Sequence, residues 1–537
     1  MAILESDIDV QSQAYRDNAE VMQAAIDEFR NVEKKVLDTA ESKADRYRAK
    51  GYMPPRERLG QLLDPGRPFL ELSTLCGYLQ DGDTDGSSAG GSVISGIGYI
   101  SGVRSLVMID DYLTKGGSIS TSGGGKRTRM QDIALREKLP LVTLAQSGGG
   151  NLLTVGDVFG PSGRGFANQA ILSAAGVPQI TVVHGSATAG GAYQPGLSDY
   201  VVMVRGQSTV YLAGPPLLKA ATGEIATDEE IGGAEMHSEI SGVADYLAEN
   251  DADGIRIARE ITQKLGWNDS QGKAEKLDYD APSYSPDELL GVVPQDPKTP
   301  YDVREILARI ADGSDFLEFK ASFDTGTICG HIKICGHALG VIGNNAPITA
   351  NGAAKAGQFI QLCEQSNTPI LFLHNTTGFI VGTAAERAGI IKHGAKLIQA
   401  VTNSRIPKIS VVVGGSYGAG NYAMCGRGMG PRFMFAWPRS VVSVMGPAQA
   451  GSVMRTVVEA KMARTGTVDT DALDAMEQGV VDTMEAKSRA LVNTARVWDD
   501  GMIDPRDTRK VLACVLEVCR ESDSRQIQAN SWGVARF

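Results

Sequence analysis

Histidine is scarce in this chain. Its six residues (His184, His237, His331, His337, His374 and His393) are scattered, and none stands at metal-ligand spacing from a second His or Cys on one helical face, so no metal centre is expected. His331 and His337 read as strand or loop residues, and His374 and His393 as satisfied structural ones. Also absent are a G-x-x-x-x-G-K-[ST] phosphate loop, an H-E-x-x-H helix and a G-x-S-x-G elbow with a matching His. Those absences weaken the readings of ATP user, zinc enzyme and serine hydrolase. The seven cysteines show no C-x-x-C spacing and sit mostly among apolar residues, which marks them as reduced core residues. No stretch approaches the roughly 20 apolar residues that span a bilayer. Glu5, Asp7 and Asp9 stand where a basic leader or an acid-poor transit peptide would be, so a soluble, cytoplasmic protein without a membrane partner is expected. Positive charge does not dominate either. Lys and Arg number 52 against 63 Asp and Glu, and the net charge of −11 is spread along the chain, which favours solubility and speaks against nucleic acid as a partner.

What the chain has is length and internal similarity. At 537 residues it exceeds one ordinary domain. VPQITVVHGSATAGGAY (177–193) aligns without gaps on IPKISVVVGGSYGAGNY (406–422), an interval of 229 residues, and the same interval places PLVTLAQSGGG, from Pro140, on PILFLHNTTGF, from Pro369. Upstream, RERLGQLLDPGRPFLEL (56–72) matches REILARIADGSDFLEF (304–319) with one gap, and downstream VYLAGP from Val210 answers VSVMGP from Val442. Four matched segments in one order indicate a duplicated domain. A Pro-, Asp- and Ser-rich connector separates the copies. The expected organisation is a polar helical arm (1–50, with Val21, Ala24, Ala25 and Phe29 on one stripe), a first domain (51–280) and a second (281–537). Within each copy, short apolar strands lead through Gly-rich turns into helical stretches. This predicts an α/β fold whose sheets are covered by helices.

The loops SATAGGAYQPG (186–196) and GGSYGAGNYAM (414–424) occupy equivalent places, each after a buried strand and before a helix. Without side chains at Gly190, Gly191, Gly418 or Gly420, a ligand oxygen can reach backbone N–H groups at a helix start, where the helix dipole also favours negative charge. One such loop by itself is better explained by tight turns or close packing. Two equivalent loops suit a reaction with two oxyanions, one per substrate. Asp228, Glu229 and Glu230 read as a solvated helix start.

The segments TAGGAYQPGLSDYVVMV, LAGPPLLKAATGE, NTTGFIVG, GGSYGAGNYAMCGRG, PRFMFAWP and DDGMIDPRDTR carry a resemblance that runs over nearly the whole chain. It resembles the carboxyltransferase (beta) subunits of biotin-dependent acyl-CoA carboxylases, of the branched-acyl type that includes geranyl-CoA and methylcrotonoyl-CoA carboxylases. The resemblance implies an α/β fold of two tandem crotonase-like domains (ClpP/crotonase superfamily), the first taking the acyl-CoA and the second, of a neighbouring subunit, taking biotin. It implies that amides at Gly190 and Gly191 face the thioester enolate and those at Ala419 and Gly420 the ureido oxygen of biotin. No side-chain base is then required, because the cofactor supplies its own. Gly418 and Asn421 complete the expected biotin-side set, Ala189 joins the acyl side, and the stretch from Gly343 to Ser366 is associated with acyl-CoA binding in such proteins. The resemblance also implies a hexameric core and a partner, the alpha subunit, carrying biotin carboxylase and biotin carboxyl carrier functions and using ATP and bicarbonate. No A-M-K-M biotinylation sequence occurs in this chain.

GRGFANQA (163–170) departs from the G-R-I-F-[FY]-N-Q-A pattern of methylcrotonoyl enzymes, with Gly165 and Ala167 in place of larger residues around Phe166. If these residues line the acyl pocket, the lost bulk makes room for a longer terpenoid chain, and geranyl-CoA leads methylcrotonoyl-CoA as the expected substrate. Two rivals remain: a crotonase-type hydratase or isomerase, and a non-catalytic scaffold for a biotinylated partner. The first would need acidic side chains over the acyl carbons, and the first loop supplies none before Asp199.

Overall fold

The computed structural model describes residues 3–150, 155–270, 277–296, 299–466 and 468–536. By contacts the chain divides into two units that alternate along the sequence. One comprises Asn31–Glu275, Ala495–Val497 and Val518–Phe537, and the other Met1–Arg30, Lys276–Thr494 and Trp498–Glu517.

Each unit is built on one sheet. The first holds β1 (Leu70–Glu71), β2 (Val93–Ile100), β3 (Val103–Asp110), β4 (Leu141–Ser147), β5 (Gln179–Thr188), β6 (Tyr200–Val204), β7 (Thr209–Tyr211) and β8 (Tyr246–Ala248). Its order is β1-β2-β3-β4-β5-β6-β8, with β7 paired to the end of β5. The second holds β9 (Leu317–Glu318), β10 (Thr327–Ile334), β11 (His337–Asn344), β12 (Ile370–Thr376), β13 (Lys408–Tyr417), β14 (Phe433–Ala436) and β15 (Val441–Ser443). Its order, β9-β10-β11-β12-β13-β14 with β15 paired to β13, repeats the first. In both, an antiparallel hairpin leads into a parallel centre (β3-β4-β5-β6 and β11-β12-β13-β14). The central strands are solidly apolar because both faces are covered: Val107, Val142, Leu144, Ile180, Val182 and Val202 are fully buried, and the helix Asp251–Lys264 packs Ile255, Ala258 and Ile261 against them. In the second unit Phe359, Ile360, Leu397 and Val401 close over Ile342, Ile370 and Phe372 in the same way.

The duplication reaches side chains that pattern reading did not single out. Ser120 and Thr349, 229 residues apart, cap the equivalent helices Thr121–Arg136 and Ala350–Gln365 by accepting from the amides of Gly123 (3.1 Å) and Gly352 (3.0 Å). At the same interval, Lys126 and Lys355 are buried, donating to the carbonyls of Gly90 and Val93 (3.1 and 2.6 Å) and of Asp324 (3.1 Å) respectively. Burial pushes Lys126 down to about 8 and moves Lys355 in the same direction. Bidentate pairs Arg56–Glu71 and Arg304–Glu318 repeat as well.

The arm is a helix over Gln13–Arg48, and Phe29 is on its buried stripe as expected. The rest of the stripe is shifted: Met22, Ile26 and Val32 are buried, whereas Ala24 is exposed and Val21 and Ala25 are only half-buried. The larger apolar side chains, one position along, gain more from burial than alanines do. Thr227 and Glu230 form a reciprocal capping box, so Asp228–Gly232 is the helix start that its acidic residues indicated. None of the cysteines is in a disulfide; Cys335 and Cys514 are half-buried and the others buried. Among the described residues, no helix is long and apolar enough to cross a membrane, and no His, Cys, Asp and Glu cluster could hold a metal ion.

Candidate active site

The two Gly-rich turns are positioned by the same irregularity in both sheets. β4 and β5 pair in register from Leu141↔Gln179 to Ala145↔Val183 and then slip, so that Ser147 faces Ala187. β12 and β13 slip at the equivalent place, between His374↔Val412 and Thr376↔Ser416. The extra residues carry the end of β5 away from β6 and onto β7, through Ser186↔Thr209 to Thr188↔Tyr211, and the end of β13 onto β15. At each such point the chain turns directly into a short helix, Ala189–Ala192 running on into Tyr193–Gly196 in the first unit and Gly418–Ala423 in the second.

Both turns enter through the left-handed region, with φ +54° at Ala189 and +53° at its equivalent Gly418. Glycine takes this conformation freely, while alanine pays about 1 kcal/mol or more for it. Ala189 thus stores strain at the mouth of the first turn. Ala189→Gly is expected to raise the stability of the first unit by about 0.5–1 kcal/mol, read as a higher thermal midpoint, while a freer turn lowers turnover a few-fold.

Neither helix start is capped by a side chain, whereas Ser120, Thr227, Asn250, Thr349 and Asp469 cap other helices. First-turn amides have no partner within their own helix, so these two starts keep donors for an incoming oxygen. The wall behind each turn is also duplicated. Ser147 Oγ accepts from the Gly149 amide and Thr376 Oγ1 from the Gly378 amide, both at 3.1 Å. A Cβ on Gly191 would meet Ser147 Cβ at 3.6 Å, an ordinary contact, but one on Gly420 would fall 2.7 Å from Gly378 Cα. The second turn is the tighter of the two.

Beneath the turns the halves differ. In the first unit His184 of β5 lies 2.5 Å from Asp251 through Nδ1, and Asp251 also accepts from the Met53 amide (2.6 Å), Gln207 (2.7 Å) and Arg58 (3.4 Å). Arg58 reaches Gln146 of β4 at 2.8 Å, and Tyr47 donates to the same Gln146 oxygen. Burial drives His184 down to about 4, so it is a neutral ring beside an ionised carboxylate. For Asp251 burial acts upward, but the bond from His184 and the Arg58 charge prevail and hold it below the usual carboxylate range. In the second unit Asn375 stands where Gln146 does, and buried His374 lies 2.9 Å from Ser416 Oγ. Ser416 Oγ in turn accepts from Asn421 at 2.8 Å, which directs that side chain into the fold beneath the turn rather than away from it.

Of the residues expected on the acyl side, Ala189, Gly190, Gly191 and Phe166 come together. Phe166 lies 4.0 Å from a Cβ built on Gly190, and its ring packs on Tyr193 with centroids 5.2 Å apart. Tyr193 was not singled out by sequence, although its equivalence to Tyr422 one turn after the glycines was a signal. Gly165, on the same helix (Val155–Ala174), borders Gln131 instead, at 3.9 Å, and Ala167 is exposed. On the other side Gly418, Ala419, Gly420 and Asn421 form one helical turn. Gly343 to Ser366 comprises the end of β11 and the helix Ala350–Gln365. Asp199 is not poised over the first turn as a catalytic acid would be: its carboxylate accepts from Ser173 Oγ (2.5 Å) and the Gln179 amide (2.9 Å).

Fold and turns together define an α/β protein of two similar domains, each presenting an uncapped, glycine-lined helix start suited to an oxyanion. Comparison with known proteins gives that class a family. The carboxyl transferase domain profile matches residues 46–531. The chain is 45% identical over 519 residues, 96% of each protein, to the probable biotin-dependent acyl-coenzyme A carboxylase beta2 subunit of Mycobacterium tuberculosis. To the probable methylcrotonoyl-CoA carboxylase beta chain of Drosophila melanogaster it is 41% identical, covering 100% of this chain and 95% of that one. The crystal structure of the geranyl-CoA carboxylase beta subunit of P. aeruginosa superposes with a TM-score of 0.93, at 56% identity over 100% of both chains. The chain therefore belongs to the carboxyl transferase family, with the two similar crotonase-like domains expected of it. It is a carboxyltransferase subunit of the biotin-dependent acyl-CoA carboxylase type, and so an enzyme.

Proposed function

We propose that this chain transfers CO2 from carboxybiotin to geranyl-CoA, carboxylating the γ-carbon of a 3-methyl-2-enoyl thioester. The observation that carries this reading is the paired set of uncapped turns, supported for the acyl group by 56% identity to a geranyl-CoA carboxylase beta subunit against 41–45% to the acyl-CoA and methylcrotonoyl-CoA relatives. In the first unit the amides of Gly190 and Gly191 receive the thioester oxygen and stabilise it as negative charge develops, while Phe166 and Tyr193 offer apolar surface to the acyl chain. In the second, the amides of Ala419 and Gly420 receive the ureido oxygen of biotin, with Gly418 setting the turn and Asn421 fixed from below. Bound carboxybiotin supplies the CO2 and the base that takes the acyl proton. The chain then needs no acid–base side chain at either turn, in keeping with the engagement of Asp199 by Ser173 and Gln179. A hydratase or isomerase would require the opposite.

The partner is an alpha subunit with biotin carboxylase and carrier functions that consumes ATP and bicarbonate. Methylcrotonoyl-CoA is the second reading, favoured by several relatives named for it. Mixing the chain with such a subunit, biotinylated, and with ATP, bicarbonate and geranyl-CoA is expected to yield ADP and carboxylated product, with kcat/KM for geranyl-CoA above that for 3-methylcrotonoyl-CoA. Turnover of 3-methylcrotonoyl-CoA alone would overturn the geranyl assignment and leave the carboxyltransferase intact.

A further inference from the structure

The segment 526–536 returns to the first unit and binds it at the ends of the two elements that carry the acyl-side residues. The Gln526 amide donates to Ser270 O (3.2 Å) and the Asn530 amide to Ala174 O (2.7 Å), and the Val534 amide donates to Ser173 Oγ (2.9 Å). Ser173 and Ala174 close the helix that bears Phe166. The approach is intimate: Gly176, at φ +80°, leaves room for Gln528, whose carbonyl oxygen would stand 2.2 Å from a Cβ there. Arg536 then donates through Nη2 to Leu197 O at 2.6 Å and pairs with Asp199 Oδ1 at 3.4 Å. Leu197 is the C-cap of the Tyr193–Gly196 helix, the far end of the turn that begins at Ala189, and Asp199 is the residue already bonded to Ser173. A cation at a helix C-terminus, bridging to a carboxylate, ties the end of one element to the end of the other. Gln169 Nε2 adds a direct link to Gln194 O at 3.0 Å. The family profile ends at residue 531, so Arg536 lies beyond what it describes.

We propose that this segment is a strap, with Arg536 as a positioning residue that holds the Gly190–Gly191 amides and Phe166 in register for the acyl thioester. The proposal rests on the assignment of the first unit to the acyl-CoA. Its test uses the full chain. Affinity for geranyl-CoA is measured by calorimetry, and amide exchange across 189–197 by mass spectrometry, in the parent, Arg536→Ala, Arg536→Lys and Gly191→Val. Arg536→Ala is expected to raise the Kd about 5- to 10-fold and to accelerate exchange across 189–197, with the thermal midpoint moving by less than about 3 °C. Arg536→Lys, which keeps the cation but not the fork, recovers part of the affinity. Unchanged affinity and exchange in Arg536→Ala, while Gly191→Val weakens binding, would overturn the strap and spare the acyl assignment. If neither variant alters binding, the acyl assignment falls and takes the strap with it. Weakening that appears only together with a general fall in thermal midpoint also overturns the strap, since it would mark Arg536 as a stability contact.

Discussion

Gly191→Val is expected to lower turnover by about 100-fold or more while the protein remains folded, with a thermal midpoint within about 3 °C of the parent. The two halves of that expectation come from different atoms. A Cβ at Gly191 meets Ser147 at 3.6 Å and no backbone closer, and the residue has a negative φ, so the main chain accommodates a side chain without strain. The added γ-methyls are then expected to crowd the first-turn amides and keep the thioester oxygen from its donors. Removing one preorganised donor from an oxyanion site commonly costs 10²- to 10³-fold in rate. The same substitution at the equivalent Gly420 is expected to behave differently: its Cβ would stand 2.7 Å from Gly378 Cα and 3.2 Å from the Thr376 methyl, so the second unit must distort before any ligand is involved. Turnover and thermal melting of the two variants, measured side by side, separate chemistry from folding. Parent-like turnover in Gly191→Val would remove that turn from the mechanism.

Much of this was legible because duplication turns weak local signals into strong ones. A single Gly-rich turn after a strand is ambiguous, but the pair at 229 residues already located the strands and the helix starts; the register slip at Ser147 and Thr376 was not read, because it lies in the pairing of two strands rather than in either one. Lys126 and Lys355 went unread for a different reason. Lysine in a helix has the pattern of a solvated residue, and only the tertiary placement of the Gly90, Val93 and Asp324 carbonyls gives its ammonium a buried partner. The return of residues 526–536 to the first sheet's unit is likewise invisible to periodicity, because it is held by backbone amides and by single polar side chains such as Arg536, which leave no repeating pattern. Gly165 shows the limit of reading substitutions in sequence: its neighbour Phe166 faces the turn, while Gly165, about 100° around the helix, borders Gln131.

Asp251→Ala is expected to destabilise the first unit by about 3 kcal/mol or more, lowering its thermal midpoint by roughly 10 °C at neutral pH. Deleting the carboxylate strands a buried Arg58 guanidinium and leaves the Nδ1 proton of His184 and the Met53 amide without their acceptor, and losses of that kind exceed the worth of any one contact. A double variant that also replaces Arg58 with Met should recover part of the loss, because the uncompensated charge goes with it. The parent's own pH dependence follows from the same network. His184 titrates near 4 when folded and near 6.5 when unfolded, so its stabilising contribution is complete above pH 6.5. It drains as the pH falls towards 4, where the unfolded chain binds a proton that the buried ring refuses. Arg58, Asp251 and Gln146 lie under the strands that end at the first turn, so turnover should fall with the midpoint in Asp251→Ala. The second unit, whose equivalent position is the uncharged Asn375, should keep its own transition. Melting followed by amide exchange in β4–β5 and in β12–β13 distinguishes the two units. Equal loss of protection in both sheets, or a midpoint within about 2 °C of the parent, would show that the buried charges do not hold the first turn in place.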